Sequence, residues 1–135
     1  MKSFSTLLLA GLLSVASAFP SLAGESEVMA VEVRAESAGT FSFAVTLRHA
    51  DTGWDHYADR WEVLTMDGEI LTTRTLFHPH VNEQPFTRSL SGVAVPAGTS
   101  SVRVRSHDSV HEYGGPELVV NLKTGDVMPW TGGPS

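Results

Sequence analysis

The chain has 135 residues, enough for one domain around one core, and its nine Lys and Arg against 15 Asp and Glu give a net charge of −6. That balance speaks against nucleic acid and anionic membrane surfaces as partners, because both are gripped by clustered basic side chains. No cysteine is present, which excludes disulfide staples, thiolate zinc sites and cysteine nucleophiles and leaves packing, or a ligand, to stabilise the fold.

Residues 1–23 read as a signal peptide. Lys2 is the positive n-region, residues 7–15 are the apolar h-region, and both Ala16-Ser17-Ala18 and Ser21-Leu22-Ala23 are small-x-small cleavage sites. Cleavage after Ala23 is preferred, because Pro20 follows closely on the earlier site. The apolar run is shorter than the roughly 20 residues that span a bilayer. Removal of the leader takes Lys2 away and leaves a domain at residues 24–123 and a tail at 124–135. The expected location is periplasmic or secreted, with no stable membrane insertion afterwards.

In residues 28–36, Met29, Val31, Val33 and Ala35 share one parity, the mark of a half-buried strand. Ser37-Ala38-Gly39 is a turn. Phe41, Phe43, Val45 and Leu47 then alternate with Ser42, Ala44, Thr46 and Arg48 in the clearest strand of the chain. Periodicity stops across residues 50–59 and resumes with Trp61, Val63 and Thr65. Asp67-Gly68 between two β-patterned runs signals a hairpin. The return strand, 70–77, places Leu71, Thr73, Thr75 and Phe77 on one face. Residues 86–95 form another strand, with a bulge expected near Gly92. Pro96-Ala97-Gly98-Thr99 is a turn, Val102 and Val104 alternate with Arg103 and Arg105, and Leu118, Val120 and Leu122 close the sheet. The tail reads as loose, with Trp130 able to dock on the body.

Seven strands and no amphipathic helix predict an all-β sandwich. The order of features over residues 28–123 resembles a fibronectin-III or immunoglobulin-like domain, with Trp61 where such domains bury a core tryptophan and without the inter-sheet cysteine pair of true immunoglobulin domains. The blocks GWDHYADRWEV and HPHVNEQPFTRS resemble signatures of an uncharacterised bacterial periplasmic family.

In such a seven-strand sandwich, alternate connections emerge at opposite ends. One set is three plain turns. The other set carries all six histidines: His49 and His56, His78 and His80, His107 and His111. Long loops on a rigid scaffold are where sites are built. Imidazole suits Cu(II), Zn(II) and Ni(II). Residues two apart on an extended segment point to one side, so His78 and His80 are expected to hold one ion, with a further ligand from His56, His107 or His111. Asp108 and Glu83 are candidates to orient the rings. His49 shares parity with the core strand before it and reads as a strand end bonded to backbone.

Two other readings stand beside the metal. One is a structural knot in which Asp55, Asp59, Glu83, Arg88, Asp108 and the histidines tie the loops together by charge-assisted hydrogen bonds, Arg88 being inward and paired with Glu83 or Asp59. The other is a face for an exported protein partner, anchored by Trp54, Tyr57 and Tyr113. Catalysis is not expected. His107, Asp108 and Ser109 are adjacent and cannot converge as a triad, and no G-x-S-x-G elbow is present. Gly114-Gly115 follows no βα unit and is a turn rather than a phosphate cradle. The reading is therefore a non-enzymatic binding module for Cu(II) or Zn(II), with a metal-free structural or protein-interaction sandwich as the alternative.

Overall fold

The computed structural model describes residues 24–37 and 39–132; the expected leader, Ala38 in the first turn and the last three residues lie outside the described residues. The eight strands are β1 (Glu27–Ala35), β2 (Thr40–Arg48), β3 (Ala58–Leu64), β4 (Ile70–Thr75), β5 (Phe86–Ala94), β6 (Ser101–Asp108), β7 (Leu118–Asn121) and β8 (Val127–Pro129). They form a three-stranded sheet, β1-β2-β5, and a five-stranded sheet, β4-β3-β6-β7-β8. Every pairing is antiparallel. No helix among the described residues is long and apolar enough to cross a membrane.

Alternation places the core. Phe43, Val45 and Leu47 of β2 meet Trp61 and Val63 of β3, Val102 and Val104 of β6, and Val120 of β7, all buried. The opposite faces of β3 and β6 are charged, and the register sets Glu62 beside Arg105 and Arg60 beside His107. The Asp-Gly hairpin closes as the sequence predicts, with Gly68 at φ 96° and its N–H donating to the Thr65 carbonyl at 3.0 Å. The expected bulge falls at Gly92, where φ is 69° and the β2–β5 register shifts.

Three local readings differ. A register shift between Val28 and Ala30 turns Val28 into the core and leaves Met29 exposed, because a bulge resets strand parity. The β4 strand ends at Thr75, so Leu76 is buried and Phe77 is 75% exposed. Within the expected loose tail, residues 127–129 pair with β7. The hairpin that returns them is held by Asn121, whose Oδ1 accepts the N–H groups of Lys123 and Thr124, and by Gly125 at φ 81°. The Trp130 ring covers the Arg103 guanidinium at 4.1 Å.

The connections sort by end. Val95 N–H donates to the Gly39 carbonyl, which ties two of the short turns together. At the other end, Asp51 bonds the backbone of His80, and Tyr57 and Ser109 exchange hydrogen bonds. The 49–57, 76–85 and 109–117 connections therefore share one pole.

Candidate functional site

The pole is organised by Asp51. His49 continues the inward parity of Phe43, Val45 and Leu47 past the end of β2 and is 3% exposed. The Asp51 N–H then donates to the His49 carbonyl at 2.8 Å, a tight bend that turns the carboxylate back under the ring. Asp51 Oδ1 lies 2.5 Å from His49 Nδ1 and accepts the Ala58 N–H at 3.0 Å, while Oδ2 accepts the His80 N–H at 2.7 Å. One buried carboxylate thus joins the β2–β3 connection, the start of β3 and the β4–β5 connection. Burial raises the Asp51 pKa, but these three donors outweigh it and hold the group below its usual value.

An ionised carboxylate only accepts, so His49 Nδ1 carries the proton and Nε2 is the free ring nitrogen. That nitrogen faces three electron-rich atoms: His56 Nε2 at 3.2 Å, the Gly24 carbonyl oxygen at 3.0 Å and Asp108 Oδ2 at 3.9 Å. His56 Nε2 is in turn 3.2 Å from Asp108 Oδ1. Such a cluster of acceptors is satisfied by a shared proton, on His56 Nε2 or on His49 Nε2, or by a cation. A proton fills the place in one state: burial lowers the His49 pKa, but the Asp51 hydrogen bond and the charges of Asp51 and Asp108 raise it above 6.5 overall. The spacing of the same atoms can also be compared with that of a metal site. Four ligands at the 2.0–2.1 Å of a tetrahedral zinc site are about 3.3–3.4 Å apart, close to the 3.2 Å separations here. His49, His56 and Asp108 each offer a ligand atom within 4.8 Å of the others, forming a potential metal-holding group among the described residues.

Asp108 is the last residue of β6 and is wholly buried. Its Oδ1 accepts the N–H groups of Val110 at 2.9 Å and His111 at 2.7 Å, and reciprocal backbone bonds to Glu112 close the bend, with Glu112 at φ 62°. Burial pushes the Asp108 pKa up, but the two backbone donors and the nearby histidines bring it below its usual value. Its Oδ2 has no hydrogen-bond partner. A buried, ionised and unpartnered oxygen costs several kcal/mol unless a cation reaches it. His111 stands at the mouth, with Nδ1 3.4 Å from Asp108 Oδ1 and its ring 4.9 Å from that of His56.

The remaining histidines occupy other places. His78 and His80 lie with ring centroids 4.6 Å apart. His80 is stacked on Phe86 at 3.8 Å, and Arg88 Nη2 donates to its Nε2 at 2.9 Å. Burial and the Arg88 charge lower its pKa, so the lone pair a metal would need is engaged by a guanidinium. Arg88 also reaches Glu83 at 3.3 Å. His78 Nδ1 is 3.0 Å from the Pro79 carbonyl. The HPH segment meets the His49–Asp51 pair through the His80 backbone N–H, which donates to Asp51 Oδ2. His107 pairs with Asp59 at 2.6 Å and packs edge-on against Tyr113. Tyr113 lies over the outer face of the larger sheet: its hydroxyl donates to Glu62 at 3.0 Å and accepts from Arg60 at 2.9 Å, and the Arg105 guanidinium stacks on its ring at 3.8 Å. Trp54 is 67% exposed with its ring against Tyr57, and the Asp55 carbonyl accepts the Ser109 hydroxyl at 3.4 Å.

Beyond this geometry, the chain is similar to a protein of Halomicrobium mukohataei described as "Putative lipoprotein", 44% identical over 110 residues that cover 80% of this chain and 54% of that protein. The chain spans about half the length of that relative. No family model matches, and no solved structure matches.

Of the residues singled out from sequence, the fold gathers His56, Asp108 and His111 and sets His78, His80 and His107 in other pairs. It adds His49 as a potential ligand and Asp51 as its support. Their signal was the His49-Ala50-Asp51 spacing at the end of a core strand, in which the inward histidine is followed by a carboxylate one bend away.

Proposed function

We propose that this is an exported, non-enzymatic binding module that holds a divalent transition-metal ion, Cu(II) or Zn(II), between His49, His56 and Asp108, with His111 at the entrance. The observation that carries the reading is the buried Asp108 carboxylate, whose Oδ2 has no hydrogen-bond partner and lies 3.9 Å from His49 Nε2 and whose Oδ1 lies 3.2 Å from His56 Nε2, beside two imidazole Nε2 atoms that are 3.2 Å apart. The Asp51–His49 pair supports it, since metal-binding histidines commonly donate their second N–H to a carboxylate that fixes tautomer and aim. Two nitrogens and one carboxylate oxygen suit Zn(II) or Cu(II) better than Cu(I), which favours sulfur. The printed description of the Halomicrobium mukohataei relative supports export to the cell envelope. The reading is a periplasmic or secreted domain. The sheet order and the buried Trp61 on β3 support the fibronectin-III or immunoglobulin type of sandwich.

The test is native mass spectrometry of the purified protein with Cu(II) and Zn(II), followed by chelator competition on variants. One equivalent of metal should bind. His56→Ala should weaken affinity by more than any change outside the centre, and His78→Ala should leave it near the parent value. No uptake of either ion, or equal losses in the two variants, defeats the reading.

A protein-interaction domain without metal is the second reading. Its support is the exposure of Trp54, Phe77, Val81 and Val110 on the three connections of the same pole. It requires that a chelator leave partner binding unchanged.

A further inference from the structure

We propose that the amine of Gly24, freed by cleavage after Ala23, is a ligand of the same ion, so that removal of the leader completes the metal centre. This rests on the metal reading above and deepens it. Three observations lead to it. The Gly24 carbonyl oxygen already lies 3.0 Å from His49 Nε2, one of the proposed ligand atoms. The amine nitrogen and carbonyl oxygen of one residue are at most about 3.6 Å apart, and when rotation about the Cα–C bond sets them on the same side the two atoms close a five-membered chelate on one ion. Finally, Ser21-Leu22-Ala23 is a small-x-small site immediately before Gly24.

Gly24 is held in position by packing, not only by proximity. Ser26 is 1% exposed, and the Val28 N–H donates to the Pro116 carbonyl at 3.1 Å. Gly115 lies so close to the lead that a Cβ there would stand 1.9 Å from the Ser26 carbonyl oxygen. The Glu25 side chain packs beside Gly114, where an added Cβ would meet it at 3.3 Å. The β6–β7 connection therefore clamps the lead across the pole and delivers Gly24 to His49.

The chemistry distinguishes precursor from product. In the precursor, the Gly24 nitrogen is an amide whose lone pair is delocalised into the Ala23 carbonyl, which makes it a far poorer donor than an amine. A leader peptidase hydrolyses that bond, with water giving its hydroxyl to the Ala23 carboxyl and its hydrogen to the Gly24 amine. The new amine then adds a nitrogen donor to His49, His56 and Asp108. Tight metal loading follows export instead of preceding it.

The sequence provides a clean test. Beyond the leader the only lysine is Lys123, in the β7–β8 turn and away from the pole. In the Lys123→Arg protein, expressed with its own leader and purified after export, the terminal amine is the one amine left to acetylate. Its mass should begin at Gly24. Acetylation should lower Cu(II) affinity, read by chelator competition, by about tenfold or more, and bound Cu(II) should slow the acetylation. A first residue other than Gly24, or equal Cu(II) affinity with and without the acetyl group, overturns the proposal while the His49 centre stands. Failure of the unmodified protein to take up Cu(II) removes the metal reading and this proposal together.

Discussion

Replacing Asp51 by Asn keeps the shape of the side chain and removes its charge and one acceptor. The parent carboxylate serves three donors: His49 Nδ1–H, Ala58 N–H and His80 N–H. The amide has one carbonyl oxygen. Turned to keep His49 and Ala58, it sets its NH2 against the His80 N–H, donor to donor; turned the other way, it loses the histidine. The cost combines a lost charge-assisted bond with a buried amide left unpaired, about 2–4 kcal/mol together. For a domain of this size that lowers the melting temperature by roughly 10–25 °C, which thermal denaturation monitored by circular dichroism reads directly. Losing the carboxylate behind a metal-binding histidine also weakens metal affinity by about 10–100-fold. Chelator competition at pH 7.5 reads that second effect at a temperature where the variant is folded. The double loss is the signature of a support that acts on both fold and ligand. An Asp51→Asn protein that melts with the parent and binds Cu(II) equally well would refute the account of the pole.

Glu62→Gln should cost about 3 kcal/mol, because it strands the buried Arg105 guanidinium that now bonds Glu62 at 2.7 Å, and it should leave metal affinity unchanged; urea denaturation checks the first and chelator competition the second. Burial raises the Glu62 pKa, but Arg105, Arg60 and Tyr113 hold it below 4.5, so its contribution is full above 4.5 and is lost as pH falls through the lower folded value. The Gln variant should lack that part of the acid sensitivity. In the metal-free protein, NMR titration of the imidazoles should find His49 above 6.5 and His80 below it. Since a proton on His49 Nε2 excludes the ion, Cu(II) or Zn(II) affinity should keep rising with pH beyond 6.5. Gly115→Ala should destabilise by about 1–3 kcal/mol through overpacking against Ser26 and should weaken metal binding by displacing the lead, as denaturation and competition assays can show.

The sheets were legible because strand parity is local. Phe43, Val45 and Leu47 point inward as their alternation demands, and the Asp67-Gly68 and Gly92 signals mark the turn and the bulge where φ becomes positive. Parity failed where a strand bulges, ends or is very short, as at Phe77 just beyond β4. The β1 bulge turned Val28 inward, and the three residues of β8 are too few to carry a period. The pole was legible because alternate connections of a sandwich must emerge together. Which rings gather around Asp108 was not, because what a ring faces depends on residues far away in sequence. The spacing of His78 and His80 is right for a shared ion, but Arg88 from β5 engages His80. His49 looked like a core residue because it is one, and only Asp51 and Asp108, brought in from both sides, make it more than that. Aspartate is so seldom buried that neither carboxylate's position could be read from its type.

The proposed centre draws on position 24, on 49 and 56, and on 108, with its brace reaching to 80. Nearly the whole length of the domain must therefore be threaded and closed before an ion finds a full set of donors. An ion seated there would rivet the lead to the β2–β3 connection and the end of β6, and no excised fragment could keep its grip. Metal uptake would then double as a certificate that folding has finished.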